Sequence, residues 1–394
     1  MAKSVIPIGP WHPLQEEPEF FTLTVDGETV EDIDVSVGYN HRGIEKLSEM
    51  KSFDQATFVI ERICGICSTS HPFAYTMAVE DVIPVEVPDR AKYIRTIVAE
   101  TERIHSHLLW LGLAGHFLGY NTIYHWVWKL REEILDVLEM LTGNRQNYAM
   151  FKPGGVRRDV NTDNVPLILK KIDGIIPTVN RLKKAILDDP VLHARLKGIG
   201  ILTKEEAIDY SALGPTARAS GVAKDVRKDA PYGAYDKVDW DMIVTENGDV
   251  WDKAVIRILE TYESIKIVKT CIAELPGGEI DLNIKDIPPG EGIGAHEAPR
   301  GETFHYVRSD GTNRPARHKV RAPTFMNLPT YKATVIGETI SDASIILAAI
   351  DPCYCCTERM AVRDMEGKRL FGGPDLVKLS QEKTAQLKRE MGVQ

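Results

Sequence analysis

The sequence predicts an α+β fold, predominantly α, with a central bundle of long helices, an N-terminal β-hairpin region and further β structure at the periphery. Three observations lead there. Apolar residues recur at three- and four-residue steps through residues 88–143, 164–197 and 251–275, the period of amphipathic helices. Four helices of that length close naturally as a bundle. The stretch FTLTVDGETVEDIDVSVG at 20–37 instead alternates apolar and polar residues around a VDGE turn, as a hairpin does. No segment reads as a linker between independent units, so residues 1–394 are expected to form a single domain.

Taken in order, strands are expected at 4–8 and 20–37, within an N-terminal β region of residues 1–50. Helical character then runs from 51 to 81. Residues 88–143 hold two helices, AKYIRTIVAETERIHSHLLWLGL and TIYHWVWKLREEILDVLEMLTG, broken near Gly119. The helices at 164–197 and 251–275 complete a bundle spanning 51–285. Within it, 212–250 is rich in Gly, Pro, Asp and Tyr and reads as a loop lying over the helices. A mixed region, 286–360, combines glycines with β-like runs such as ETFHYVRSDG, then an apolar helix, ISDASIILAAI, that delivers DPCYCC into the interior. The tail, 361–394, ends in an amphipathic helical pattern suited to docking on a partner.

Composition narrows the function. Hydrophobic residues at 43% and charged residues at 27% suit a globular chain with a sizeable core, not a disordered one. A net charge of −9 argues against nucleic acid as a partner, which needs concentrated basic surface. The N-terminus lacks the apolar run of a signal peptide. The most apolar long stretch, 108–130, carries Gly112, Gly115, His116, Gly119, Asn121, His125 and Lys129, which a lipid-spanning helix would not tolerate. The expectation is a cytoplasmic chain that reaches a membrane only through partners.

Of the six cysteines, four form C-x-x-C pairs: Cys64 and Cys67 in ERICGIC, Cys353 and Cys356 in DPCYCC. In a cytoplasmic chain such pairs are metal ligands or redox groups more often than structural disulfides. The 285 residues between the pairs are far too many for a zinc ribbon. Two readings stay open at this level: a soft transition-metal centre of four thiolates buried mid-fold, or two unrelated redox or structural pairs. Cys271, on a helix, and Cys355, out of the C-x-x-C register, read as free thiols.

R-I-C-G-I-C-x-x-x-H (Arg62 to His71) and D-P-C-x-x-C-x-x-R (Asp351 to Arg359) resemble the two signatures of nickel–iron hydrogenase large subunits. GPWHPLQEEP, GYNHRGIEK, ERIHSHLLWL, GGVRRD, GPTARASGVAKDVRKDAPYGAY and EAPRGETFHYVRSDG are similar to the branch shared with the 49-kDa-type subunit of respiratory complex I. Together these segments cover nearly the whole chain in the same order. The complex I cousins lack the four cysteines, which this chain keeps. The resemblance implies an energy-converting, membrane-associated hydrogenase large subunit with the corresponding fold. Nickel would be bound by all four thiolates, with Cys67 and Cys356 bridging to an iron that carries carbonyl and cyanide ligands, and Cys64 and Cys353 terminal.

The resemblance extends to supporting residues. Glu17, in QEEP, matches a proton-relay glutamate beside the nickel, with Glu16 as the fallback; by residue type alone, QEEP is a solvated acidic turn. His71 falls four residues after Cys67, one turn on if that stretch is helical, placing its ring to donate to a bridging sulfur; the plainer reading is a helix cap or a packed histidine. Arg300 resembles the arginine over the iron's cyanides, and Thr324 a residue that hydrogen-bonds cyanide, although a threonine after proline is otherwise a turn residue. Glu45 and Arg359 fall where many hydrogenases bind a divalent ion. With an arginine there, an ion pair is expected instead of magnesium. His105, His107, His116 and His125 contain no i, i+4 pair and read as core or interface groups. His12 and His41 fall where complex I cousins line a quinone cavity, and are expected at an interface or a remnant of it.

The expected activity is reversible production or oxidation of H2, coupled to ferredoxin and to ion translocation by other subunits. The chain has no cysteine set left for an iron–sulfur cluster, so an iron–sulfur small subunit is required. A separate complex I 30-kDa-like subunit, antiporter-like integral-membrane subunits and maturation proteins are also implied, on the cytoplasmic face of the membrane. The alternatives are a sulfane- or polysulfide-reducing relative, or a non-catalytic quinone-module subunit with structural zinc.

Overall fold

The computed structural model describes residues 3–13, 15–83, 85–360, 362–364 and 366–393; Leu14, inside the GPWHPLQEEP segment, lies outside the described residues. Strands β1 (Ser4–Ile8), β2 (Phe20–Asp26) and β3 (Thr29–Ser36) form an antiparallel sheet in that order. The β2–β3 turn is the expected one: Asp26 pairs with Thr29, and Gly27 supplies φ 62°. Alternation works as written, with Phe21, Leu23, Val25, Val30 and Ile33 turned into the core.

The 51–81 stretch is not one helical run. Helices α1 (Ile44–Glu49) and α2 (Phe53–Ile60) precede a single 3-10 turn, Glu61–Ile63, and helix resumes only at α3 (Ser70–Val82). Cys64 is extended, at φ −140° and ψ 131°. Cys67 therefore sits in a turn before α3, not on the helix that carries His71. Periodicity could not show this break, because its cause is a long-range demand on the cysteine loop.

At the centre, α4 (Asp89–Phe117) and α5 (Asn121–Thr142) run antiparallel either side of Gly119, which ends α4 at φ 82°. The glycines of 108–130 have a packing role. A Cβ on Gly112 would lie 3.3 Å from Val127, and one on Gly115 would lie 3.1 Å from Ile123, so their absence lets the two helices close. On α6 (Val165–Asp188) the buried residues Ile168, Ile172, Ile175, Val179, Leu182 and Ile186 trace one apolar stripe. The bundle is completed by α7 (Val250–Ala273), which packs on α4.

Residues 212–250 are mostly irregular, as expected, but do not simply lie over the bundle. Arg218, Arg227, Tyr235 and Trp240 are buried. Arg218 pairs with Glu260 at 2.8 Å and Glu297 at 2.8 Å, while Arg227 pairs with Asp225 at 2.6 Å and Glu100 at 3.1 Å. The charges are admissible inside because each has a partner.

A second antiparallel sheet, β4 (Gly290–Ala298), β5 (Gly301–Ser309) and β6 (Pro315–Arg321), lies on α3. Gly292 and Gly294 face that helix so closely that a Cβ would meet Ala78 O and Ala74 O at 2.1 Å. The chain then forms the apolar helix α8 (Ile340–Ala349) and turns at Asp351, φ 57°, into the second cysteine pair. Helix α9 (Gly373–Glu390) carries exposed Val377, Leu379 and Leu387. Among the described residues, no helix is long and apolar enough to cross a membrane.

Candidate metal centre

The two cysteine pairs, from opposite ends of the chain, meet. The Sγ atoms of Cys64, Cys67, Cys353 and Cys356 all lie within 4.8 Å of one another, and all four residues are buried. Cys64 and Cys353 Sγ are 3.3 Å apart, and the Cys67 N–H points at Cys64 Sγ at 3.3 Å. The Cys353 and Cys356 Sγ atoms are in contact, and all four sulfurs bind an ion jointly only as thiolates. Four soft donors in one dry cage fit a thiophilic transition metal.

Each pair is held by polar groups from elsewhere. Thr324 Oγ1 accepts the Cys353 N–H at 3.1 Å. Arg42 reaches both cysteine segments: its guanidinium donates to Arg62 O, to Ile63 O at 2.7 Å and to Cys355 O at 3.5 Å. Three residues of α4 face the site. Glu102 accepts from Thr69 N at 2.6 Å, Thr69 Oγ1 at 2.7 Å and Ser70 Oγ at 2.9 Å, which fixes the start of α3. His105 Nε2 lies 2.9 Å from Ile66 O, between the first two cysteines, and its Nδ1 accepts from Arg131 Nε at 3.2 Å. Ser106 Oγ accepts from Arg300 at 3.0 Å.

Arg300 stands at the tip of the β4–β5 hairpin. It donates to Asp351 O at 2.7 Å and pairs with the Asp351 carboxylate at 2.6 Å. Burial opposes its charge, but Asp351, Cys67 and Cys64 outweigh burial and raise its pKa above the ordinary value. A fixed cation thus lies in the field of the sulfurs, as a group of excess negative charge would require.

Glu17 Oε2 accepts the Cys355 N–H at 2.7 Å, beside the second pair. Glu16 keeps accessible surface, yet its carboxyl is desolvated and lies in the field of Asp351 and Arg300. Burial, then Asp351, pushes its pKa up to about 8. His71, in the first turn of α3, is buried, with Nδ1 3.0 Å from His305 Nε2. The expected Glu45–Arg359 ion pair is present at 3.6 Å, with Lys319 also on Glu45 at 3.0 Å. His41, Arg42, Glu45, Cys355, Cys356 and Val377 help line a cavity of about 600 Å³ beside the cage. His12 sits apart from it, in the β1–β2 connection, and Cys271 is buried on α7. His107 pairs with Glu260 at 2.8 Å and His116 with Asn121 at 2.9 Å.

Sequence reasoning missed Arg42, Glu102, His105 and Ser106 as site builders. For all four the available signal was membership of GYNHRGIEK and ERIHSHLLWL; spacing holds none, because their partners are distant in sequence.

Residues 42–114 match the family described as nickel-dependent hydrogenase, and residues 118–286 and 282–359 match the 49 Kd subunit of respiratory-chain NADH dehydrogenase. The chain is 42% identical to the membrane-bound hydrogenase subunit alpha of Pyrococcus furiosus, over 97% of this chain and 93% of that one. It is 39% identical to the carbon monoxide-induced hydrogenase of Rhodospirillum rubrum, over 91% and 100%. Among solved structures, a chain of the membrane-bound sulfane sulfur reductase, an archaeal respiratory membrane complex, matches with a TM-score of 0.86 and 30% identity, covering 91% of this chain and 98% of that one.

Proposed function

We propose, for a chain that belongs to the family uniting nickel-dependent hydrogenase large subunits with the 49-kDa subunit of respiratory NADH dehydrogenase, that it is the catalytic subunit of an energy-converting nickel–iron hydrogenase. The observation that carries this reading is the closed cage of four buried cysteine sulfurs with Arg300 beside it. Cys64, Cys67, Cys353 and Cys356 would together hold nickel and an iron bearing carbonyl and cyanide. Bound there, the centre supplies heterolytic cleavage and formation of H2.

The chain's own residues then have separate tasks. Arg300, held by Ser106 and Asp351, offers its remaining donor surface to anionic diatomic ligands. Thr324 spends its oxygen on the Cys353 amide and keeps its hydroxyl proton for a cyanide. Glu17 carries protons between the site and the second cysteine loop, and Glu16 is the competing carboxyl. Electrons would pass from ferredoxin through an iron–sulfur small subunit. A 30-kDa-like subunit and antiporter-like membrane subunits would complete a complex on the cytoplasmic face, after dedicated maturation proteins have loaded the site. The exposed helix α9 is the element we assign to partner docking.

The likeness to the sulfane sulfur reductase supports one second reading, sulfane-sulfur reduction on the same scaffold. Nickel and iron content, with the infrared spectrum of complex purified anaerobically from its native host, separates the two. Equimolar nickel with carbonyl and cyanide bands is the expected result. Properly matured complex with neither would overturn the proposal.

A further inference from the structure

The groove between α5 and α6 has a charge opposite in sign to that of the chain. It encloses about 620 Å³ and carries Lys129, Lys170, Lys171 and Arg181 against one carboxylate, Glu133, on a chain of net charge −9. Lys171 is already matched, by Glu133 at 2.6 Å and Asp136 at 2.9 Å. Lys129, Lys170 and Arg181 are exposed, and among the described residues no carboxylate pairs with any of them. The Arg181 guanidinium lies 5.3 Å from the centre of the Trp126 ring. Trp126 is 39% exposed and Leu167 46%, so cations and large apolar groups face solvent together.

A glycine in this groove has no explanation inside the chain. Leu167, Lys170, Gly174, Thr178 and Arg181 follow one another at three- and four-residue steps, a stripe of α6 distinct from its buried one. Gly174 is exposed in the middle of that helix, and a Cβ placed on it would meet nothing within 4 Å. Its φ is not left-handed. Neither crowding nor backbone conformation therefore asks for glycine, which is a poorer helix former than alanine. Nor does Pro177 ask for it, since a proline inside a helix presses on the carbonyl four residues back, at Asp173. What a missing side chain does permit is the close approach of another backbone.

We propose that this groove receives an acidic amphipathic helix from another subunit of the complex, crossing α6 at Gly174. A third helix laid along two packed ones extends a bundle by ordinary ridge-and-groove packing. Its apolar side covers Trp126, Leu130 and Leu167, and its carboxylates meet Lys129, Lys170 and Arg181 at the rim. The chain's own α9 does not suit the role, because Lys378, Lys383, Lys388 and Arg389 outnumber its carboxylates. The docking rests on the proposed assembly with other subunits and not on the chemistry of the cysteine cage.

The test uses complex purified from the native host. Carbodiimide cross-linking with mass spectrometry should join Lys129 or Lys170 to aspartate or glutamate residues of one helical segment in another subunit. Lys170→Glu combined with Arg181→Glu should strip that subunit from the native mass spectrum at an ionic strength where wild type stays whole. Gly174→Leu fills the crossing point with a better helix former, so loss of the subunit there is not a folding defect. Lys184→Glu, exposed on α6 outside the groove, should leave every subunit bound. Cross-links confined to this chain or running to a second copy of it, a phospholipid held at these lysines, or all subunits retained in both groove variants would each overturn the docking. A chain purified alone would overturn the docking and the assembly together, whereas a whole complex with an empty groove overturns the docking only.

Discussion

Replacing Thr324 by valine keeps the side chain's shape and removes one acceptor. The Cys353 N–H, which Thr324 Oγ1 accepts at 3.1 Å, is then stranded in a fully buried site. A buried donor left unmade costs about 1–3 kcal/mol, and hydration cannot offset it because Thr324 is 0% exposed. The cost falls on the turn between Asp351 and Cys356, so local opening is the proper readout. At 25 °C that range converts to an increase of about 5- to 160-fold in amide exchange of Cys353. Hydrogen exchange with mass spectrometry on peptides spanning 350–357 measures it, and Thr324→Ser, which keeps the oxygen, serves as control. Valine exchanging like wild type, or serine as fast as valine, would refute the idea that this hydroxyl fixes the second cysteine loop.

Glu260→Gln should destabilise by about 3–5 kcal/mol, because Arg218 and His107 both lose a buried charged partner; denaturation of the isolated chain would show it. Gly294→Ala forces a Cβ to within 2.1 Å of Ala74 O. It should cost about 1–3 kcal/mol and lower the melting temperature, and an unchanged melting temperature would mean that β4 and α3 are not in close contact. Glu19 is buried, and burial followed by the charge of Glu358 pushes its pKa up to about 8. Its folded form therefore binds more protons than the unfolded chain, so stability is fully present below about pH 4.5 and is lost as pH rises towards 8. Glu19→Gln should flatten the unfolding profile over that window; a parallel profile would contradict the assignment.

What was legible in the sequence was mainly local. The Gly27 hairpin, the Gly119 break and the α6 stripe follow from turn chemistry and period, whereas the two C-x-x-C pairs left a shared centre as one of two open readings. Two features were not legible. The extended Cys64 interrupts a helical pattern because Arg42, Glu102 and His105 pull on its loop from other parts of the chain. Likewise, the polar-looking 212–250 segment is internal because Arg218 and Arg227 find carboxylates on α4, α7 and β4. Both are pairings at long sequence separation, which a window of a dozen residues does not contain.

The meeting of Cys64 with Cys353 and Cys356 has a topological consequence. An ion held by both pairs turns a linear polymer into a ring of nearly 300 residues. Tying an unfolded chain into a loop of that size removes about 5–6 kcal/mol of its entropy in the chain-entropy model. A loaded chain would therefore resist denaturant out of proportion to the few atoms at its knot. Cutting the backbone anywhere inside the ring would leave its two pieces tethered until the ion was withdrawn.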